Sequence, residues 1–258
     1  MNLKKRLNKI KYFYNLSVAL AKAEFKLRNE GSYLGILWYL LNPILTFIVL
    51  FVVFSSSFGN KIPNYTIYLL IGIIIFNFFQ QTTTSSITNM RDHRLIIKSI
   101  KFPRESLVAS TLFRNLFSHM FEIAILIIIL LFYGITIKNM IFYLPIMFFF
   151  SIFVYGISLI LASLYVYFAD LDGIWQFFSR LLIFVTPVFY AVEGMTKIFI
   201  LNLFNPLYYF ITIARDLVIY SKIPPSWMIL GAIVYSIIFF IAGILIFNKL
   251  KIKFAERL

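Results

Sequence analysis

The chain has 258 residues, 61% of them apolar and only 13% charged, with a net charge of +14. A soluble domain carries about a quarter charged residues, so this composition cannot cover a water-facing surface and excludes a soluble enzyme or a disordered segment. The basic residues cluster between long apolar runs rather than along one folded face, which argues for an integral membrane protein over a nucleic-acid binder.

Ahead of the first long apolar run, Ile10, Phe13, Leu16, Leu20, Ala23 and Leu27 recur at three- and four-residue intervals. That spacing predicts an amphipathic helix over 8–29, with Lys11, Asn15, Lys22 and Lys26 on the opposite face. Such a helix either lies in the inner headgroup layer, with Lys11, Lys22, Lys26 and Arg28 toward anionic lipid, or packs on a partner subunit. Interruption by Lys22, Glu24, Lys26 and Arg28 sets this region apart from a secretory signal.

A spanning helix needs about 20 mostly apolar residues. Six stretches qualify: Ile36 to Phe54, Tyr65 to Thr88, Ser106 to Ile135, Ile141 to Phe168, Ile174 to Val192, and Trp227 to Phe247. A weaker run, Ile198 to Ile213, is broken by Asn202, Asn205 and Pro206. Basic residues concentrate before the first span, in the connection after the second (Arg91, Arg94, Lys98, Lys101, Arg104), and in the tail (Lys249, Lys251, Lys253, Arg257). Cytoplasmic segments retain Lys and Arg, so both termini are expected in the cytoplasm. An even number of crossings follows: six spans, with the weak run re-entrant or interfacial on the outer side within 193–224. The expected fold is an all-α polytopic membrane protein forming one domain over 1–258.

Chemistry for catalysis is sparse. Cysteine is absent, His93 and His119 are the only histidines, and no Gly-rich segment followed by Lys-Ser or Lys-Thr cradles phosphate. The chain is therefore expected not to be an enzyme and to hold no metal or cofactor of its own. Asp170 and Asp172 read best as a polar turn capping the next helix. Within the spans, Arg114, Glu122 and Arg180 are expensive in lipid, and hydrogen-bonded or ion-paired roles are favoured over transport. Polar residues repeat on single faces: Gly35, Trp38, Asn42 and Thr46; Asn77, Gln81, Thr84 and Thr88; Gln176, Ser179, Thr186 and Tyr190. With Tyr39 and Trp175 nearby, these faces offer either helix-packing contacts or the lining of a sugar path, hydroxyls meeting amides while ring faces stack on aromatics.

Five strings in order resemble the membrane subunits of ABC-type exporters of cell-surface polysaccharide, the permeases of O-antigen, capsule and teichoic-acid export. They are KLRNEGSYLGILWYLLNP (Lys26 to Pro43), YLLIGIIIFNFF (Tyr68 to Phe79), IKSIKFPRE (Ile97 to Glu105), TPVFY (Thr186 to Tyr190), and Asn205-Pro206 followed by Arg215. One departure is Ala169 before Asp170, where the family often has arginine. The resemblance implies a homodimeric half-transporter in the cytoplasmic membrane, joined to two separate ATPase subunits that bind ATP and Mg. It also implies a lipid-linked polysaccharide substrate. The loop 91–101 would then dock on the ATPase, with Leu95, Ile96 and Ile97 as apolar anchors and Arg91, Asp92 and Arg94 around them. Trp38, Tyr39, Asn42, Thr46, Gln81, Trp175, Gln176 and Tyr190 become candidates to line the channel. Other classes are a membrane-embedded transferase or hydrolase acting on lipid-linked sugar, which needs converging acid/base groups, and an ATP-independent channel or carrier, which has no use for loop anchors.

Overall fold

A computed structural model describes residues 3–29, 33, 35–192 and 196–257; the side chains of a few helix-terminal residues, Arg28 and Tyr39 among them, lie outside the described residues. The elements are α1 (Leu3–Asn29), α2 (Trp38–Phe58), α3 (Tyr65–Asp92), α4 (Arg94–Ser99), α5 (Glu105–Phe132), α6 (Tyr143–Tyr165), α7 (Leu171–Val185), α8 (Thr196–Leu203), α9 (Pro206–Val218), α10 (Ser226–Leu250) and α11 (Phe254–Arg257). Among the described residues there is no strand.

The stretch Ile67 to Phe79 is apolar on every side, and a helix without a polar face has to be surrounded. Accordingly 78% of the apolar span of α3 is buried within the chain, against 6% for α2 and 17% for α10. Around α3 pack α2, α5, α6, α7 and α9. A second, smaller core of Met90, Ile97, Leu107, Val108, Phe247 and Phe254 closes the end of the bundle where α3 gives way to α4. There Arg104 donates to the Lys251 carbonyl, Lys251 pairs with Glu105, and the Arg104 guanidinium lies 5.7 Å from the Phe254 ring.

The most extensive helix pair is α6 with α10. It closes on glycine. A Cβ at Gly156 would collide with the backbone of Phe239 and Phe240, and one at Gly243 with the backbone of Gly156. Hydrophobicity does not drive helices together in lipid, so small residues that let backbones touch carry the association.

Among the described residues five helices are long and apolar enough to span a membrane, and α8 with α9 would make a sixth if that bent pair counts as one span. The expected fifth span, Ile174 to Val192, runs the length of α3, from Asp172 beside Arg91 to Phe189 beside Tyr65, but only part of it is helix. α7 stops at Val185 after 15 residues, about 22 Å against a hydrocarbon layer of about 30 Å. Pro187 is the cause, because the residue before proline is pushed out of the α region; Thr186 sits at φ −76°, ψ 136°. The weak run that follows divides into α8 and α9, which meet at 102°. Pro206 opens α9, where its missing N–H costs nothing, and the Asn205 side chain accepts from Leu207 N at 3.1 Å to cap it.

The predicted amphipathic segment is helical as α1, but another face points inward. Ser17, Ala21 and Glu24 are buried, while Ile10, Ala23 and Leu27 of the expected stripe are exposed and Phe13, Leu16 and Leu20 are half-buried. α1 packs along α5, with Tyr14 against Phe113 and Phe25 against Phe117 at ring separations of 5.9 and 4.9 Å.

Replacing Gly156 by leucine should lower the thermal midpoint of the detergent-purified protein by several degrees, since overpacking costs about 1–3 kcal/mol. A Cβ at Gly173 meets nothing within 4 Å, so Gly173→Ala should leave the midpoint unchanged or slightly raised. Equal effects of the two changes would count against the backbone contact.

Candidate functional site

Where α7 ends, the backbone runs without helix through Thr186 to Val192 inside the bundle. Carbonyls there have no water to turn to, and each unpaired one costs several kcal/mol in an apolar medium. All six from Val185 to Tyr190 are satisfied. Val185 O accepts from the Tyr190 hydroxyl at 2.6 Å and Thr186 O from Val188 N at 2.7 Å. Pro187 O and Val188 O accept from Nη1 and Nη2 of Arg215, both at 2.7 Å. Phe189 O and Tyr190 O accept from the hydroxyls of Tyr65 at 3.0 Å and Tyr68 at 2.9 Å. The Thr186 hydroxyl in turn accepts from Asn205 Nδ2 at 2.9 Å.

Arg215 is the centre of this arrangement. Its guanidinium is fully buried, donates through Nε to Tyr68 O at 3.0 Å, and lies 3.4 Å from the centroid of the Tyr68 ring. Among the described residues it has no carboxylate partner; its acceptors are neutral carbonyls. Gly72 makes room for it: a Cβ there would stand 2.5 Å from Nη2 and 2.8 Å from Val188 O. The Tyr68–Gly72 string, the Thr186–Tyr190 string, Asn205-Pro206 and Arg215 thus meet at one place. Arg215, which the resemblance marked only as the last of five strings, is here a fully buried side chain.

Beside this turn opens a cavity of about 580 Å³, lined by Lys61, Tyr68, Tyr208, Arg215, Asp216 and Lys222 among others. α3 begins at this end, so the cavity lies at the opposite end of the bundle from α4.

At the α4 end, the expected loop forms a six-residue helix. Leu95 is 71% exposed and Ile96 43%, but Ile97 is 1% exposed and belongs to the smaller core. Ile97 is therefore corrected from outward anchor to inward attachment; on one helical turn, three successive residues cannot share a face. Arg91 bonds Asp92 at 3.3 Å and Asp172 at 3.2 Å, joining the end of α3 to the start of α7. Asp172 also accepts from Gln176 at 2.9 Å. Asp170 precedes α7 without a side-chain capping bond, so the expected cap is not made. Arg94 lies at the start of α4 and is exposed.

The channel candidates separate. Trp38 and Asn42 are exposed on α2, and Thr46 is half-buried, its hydroxyl turned onto Asn42 O. Asn77, Gln81, Thr84 and Thr88 remain half-buried along one stripe of α3. Trp175, by contrast, donates to Thr83 at 3.0 Å. Tyr190 is buried and bonded to Val185 O, which corrects it from a lining residue to a brace of the turn. The headgroup candidates Lys11, Lys22 and Lys26 are exposed along α1. Tyr39 and Arg28 were singled out for side chains that lie outside the described residues.

The buried charges form two further groups. Glu24, which the sequence reading treated only as an interruption, accepts from Arg114 at 2.8 Å, Ser110 at 2.9 Å and Asn89 at 3.0 Å. Asn89 is bonded again to Leu107 O and Thr111. It is the lone acid among the described residues of a basic helix, and that oddity was the signal able to mark it. Deeper in α5, Glu122 meets His119 Nδ1 at 2.7 Å, and His119 Nε2 meets the Tyr143 hydroxyl at 3.0 Å. Arg180 is exposed.

Residues 15–219 match the family described as ABC-2 type transporter. Over the full length of both chains, the sequence is 29% and 30% identical to two proteins of Klebsiella pneumoniae, each named O-antigen export system permease protein RfbA. A protein of the same name from Myxococcus xanthus is 24% identical over 95% of this chain and 96% of its own.

Arg215→Met should unseat the turn, since the Pro187 and Val188 carbonyls lose their donors at about 1–3 kcal/mol each. The expected readout is a thermal midpoint lowered by many degrees, with new protease cleavage near residues 186–192. At the other end, Glu24→Gln and Arg114→Gln should each cost about 3–5 kcal/mol by stranding a buried charge, and the double variant should recover part of that loss. Strict additivity in a double-mutant cycle would refute the coupling.

Proposed function

Because the chain belongs to the ABC-2 type transporter family, we propose that it is the membrane half of an ATP-driven exporter that moves a lipid-linked polysaccharide of the O-antigen class across the cytoplasmic membrane. It is a transport component, not an enzyme, and the ATPase is a separate subunit. The full-length likeness to O-antigen export permeases supports the substrate class. The observation that carries the mechanism is the exposed pair Leu95 and Ile96 on α4, beside Arg91, Asp92 and Arg94. Exposed apolar side chains rimmed by charge are what a docking helix presents to a groove.

Two copies pair, each with its own ATPase. ATP closes the ATPases and displaces α4; the energy comes from the difference in contact between the ATP-bound and empty partner. Ile97 fixes α4 in the smaller core and Arg91 reaches Asp172, so the displacement is passed to α5, α7 and α11. The polymer passes between the copies along the α3 stripe of Asn77, Gln81, Thr84 and Thr88, with Trp38 and Asn42 of α2 beside it. Thr46 and Gln176 flank this path. On the entry side, Lys11, Lys22 and Lys26 of α1 meet lipid phosphate. Both termini and α4 face the cytoplasm, and the bent α8–α9 pair acts as the gate on the far side.

The transferase or hydrolase reading is not supported by the geometry. Asp172 is held by Arg91 and Gln176, and Glu122 by His119, in separate parts of the bundle.

Leu95→Asp and Ile96→Asp should reduce cell-surface polysaccharide at least tenfold and release the ATPase on purification, while the thermal midpoint of the permease stays within a degree or two. Ile97→Asp should instead lower the midpoint, because a charge enters the core. Normal surface polysaccharide in the Leu95 and Ile96 variants would sink the docking assignment.

A further inference from the structure

The 580 Å³ cavity beside the unwound turn shares Tyr68, Pro187 and Arg215 with it, and its lining is unusual for the wall of a membrane bundle. Three cations, Lys61, Arg215 and Lys222, border it against one carboxylate, Asp216. Arg215 bonds only neutral carbonyls, so its charge is not cancelled by an ion pair and contributes a positive potential in a region of low dielectric. Lys61 and Lys222 come from different connections, one between α2 and α3 and one between α9 and α10, and both are exposed at the mouth. The same lining is rich in aromatics, with Phe199, Tyr208 and Tyr220.

We propose that this cavity is a binding site for a sugar bearing a phosphate, the glycosyl-phosphate junction of the exported molecule, at the end of the bundle remote from α4. The lysine ammonium groups take the phosphate oxygens, whose negative charge answers the surplus of cations. Phe199 and Tyr208 offer ring faces to the apolar side of a sugar. A neutral sugar would leave the cations unanswered, and a simple inorganic anion would leave the aromatic rings uncovered. The identity of the molecule that brings the phosphate rests on the export reading; the binding itself does not.

The test is calorimetric titration of the full-length chain, without nucleotide, in nanodiscs of phosphatidylcholine. Glucose 1-phosphate, inorganic phosphate and glucose are the probes. Glucose 1-phosphate should bind at least tenfold more tightly than either of the others, and more weakly as salt is raised. The variant Lys61→Gln/Lys222→Gln, altered only at exposed side chains, should lose about tenfold of that affinity, since charge-assisted contacts are the stronger kind. Lys138→Gln, exposed at the same end but outside the cavity lining, should lose none. No binding by the unaltered chain, equal binding by the double variant, or an equal loss in Lys138→Gln would overturn the proposal. A second series with one fifth phosphatidylglycerol separates the two sources of phosphate. Undiminished binding there keeps the sugar phosphate as ligand, whereas competition by the lipid assigns the site to ordinary headgroups and overturns the substrate assignment. Failure of the ATPase to co-purify would leave these titrations untouched, so export and binding can fail independently.

Discussion

A peptide carbonyl deprived of both helix and water is among the costliest groups to place at membrane depth. The segment after α7 presents a continuous series of them, and the bundle is arranged so that a donor arrives at each. Tyr65 and Tyr68 project from the first turns of α3, Arg215 from α9, and Tyr190 folds back on the helix it follows. Neither α3 nor α9 can shift along its axis without stranding part of the series. The aromatic contact between Arg215 and Tyr68 and the vacancy of a side chain at Gly72 serve the same end, since the guanidinium must come close to two backbones at once.

The two ends of the bundle are built differently. At the cavity end, neutral backbone and phenol groups gather around one buried cation. At the α4 end, carboxylates and cations pair: Glu24 with Arg114, Glu105 with Lys251, Asp172 with Arg91. The first of these is buried and tied to α3 through Asn89, so α1, α3 and α5 are held as a unit. The last is partly exposed, with half of the Arg91 side chain in the open. An exposed pair contributes about 0–1 kcal/mol, little enough to be remade as α4 is displaced. Firm attachment and easy release thus lie side by side at the end proposed to meet the motor.

Much of the architecture was legible as composition and period. The all-apolar run of α3, the two-part character of 198–213 and the helical N-terminal segment follow from spacing and from Pro206 and Asn205. The fifth span was legible as a crossing but not as a broken one, because hydropathy continues through Thr186 to Tyr190 while the helix cannot; only Pro187 marks the break. Arg215 stood out as a member of the resembling strings, but nothing local shows that the chain folds back to bring it to Pro187, 28 positions earlier. Leu95, Ile96 and Ile97 are equivalent in chemistry, and their division into outward and inward depends on Phe254, far along the chain. Glu24 was visible as an oddity but its partners, 65 to 90 positions away, were not. Tertiary closure, not local preference, decides each of these.

The glycine contact between α6 and α10 has a mechanical meaning. Most helix pairs are separated by a layer of side chains that can change rotamer and let one cylinder slide over the other. At Gly156 and Gly243 no such layer exists, and main chain rests on main chain. Nothing between the two can be compressed or re-sorted, so α6 and α10 travel as one beam. Any rearrangement that opens a path must be taken up elsewhere, at the scarcely buried α2 and the short α7, with this beam as the fixed frame against which they turn.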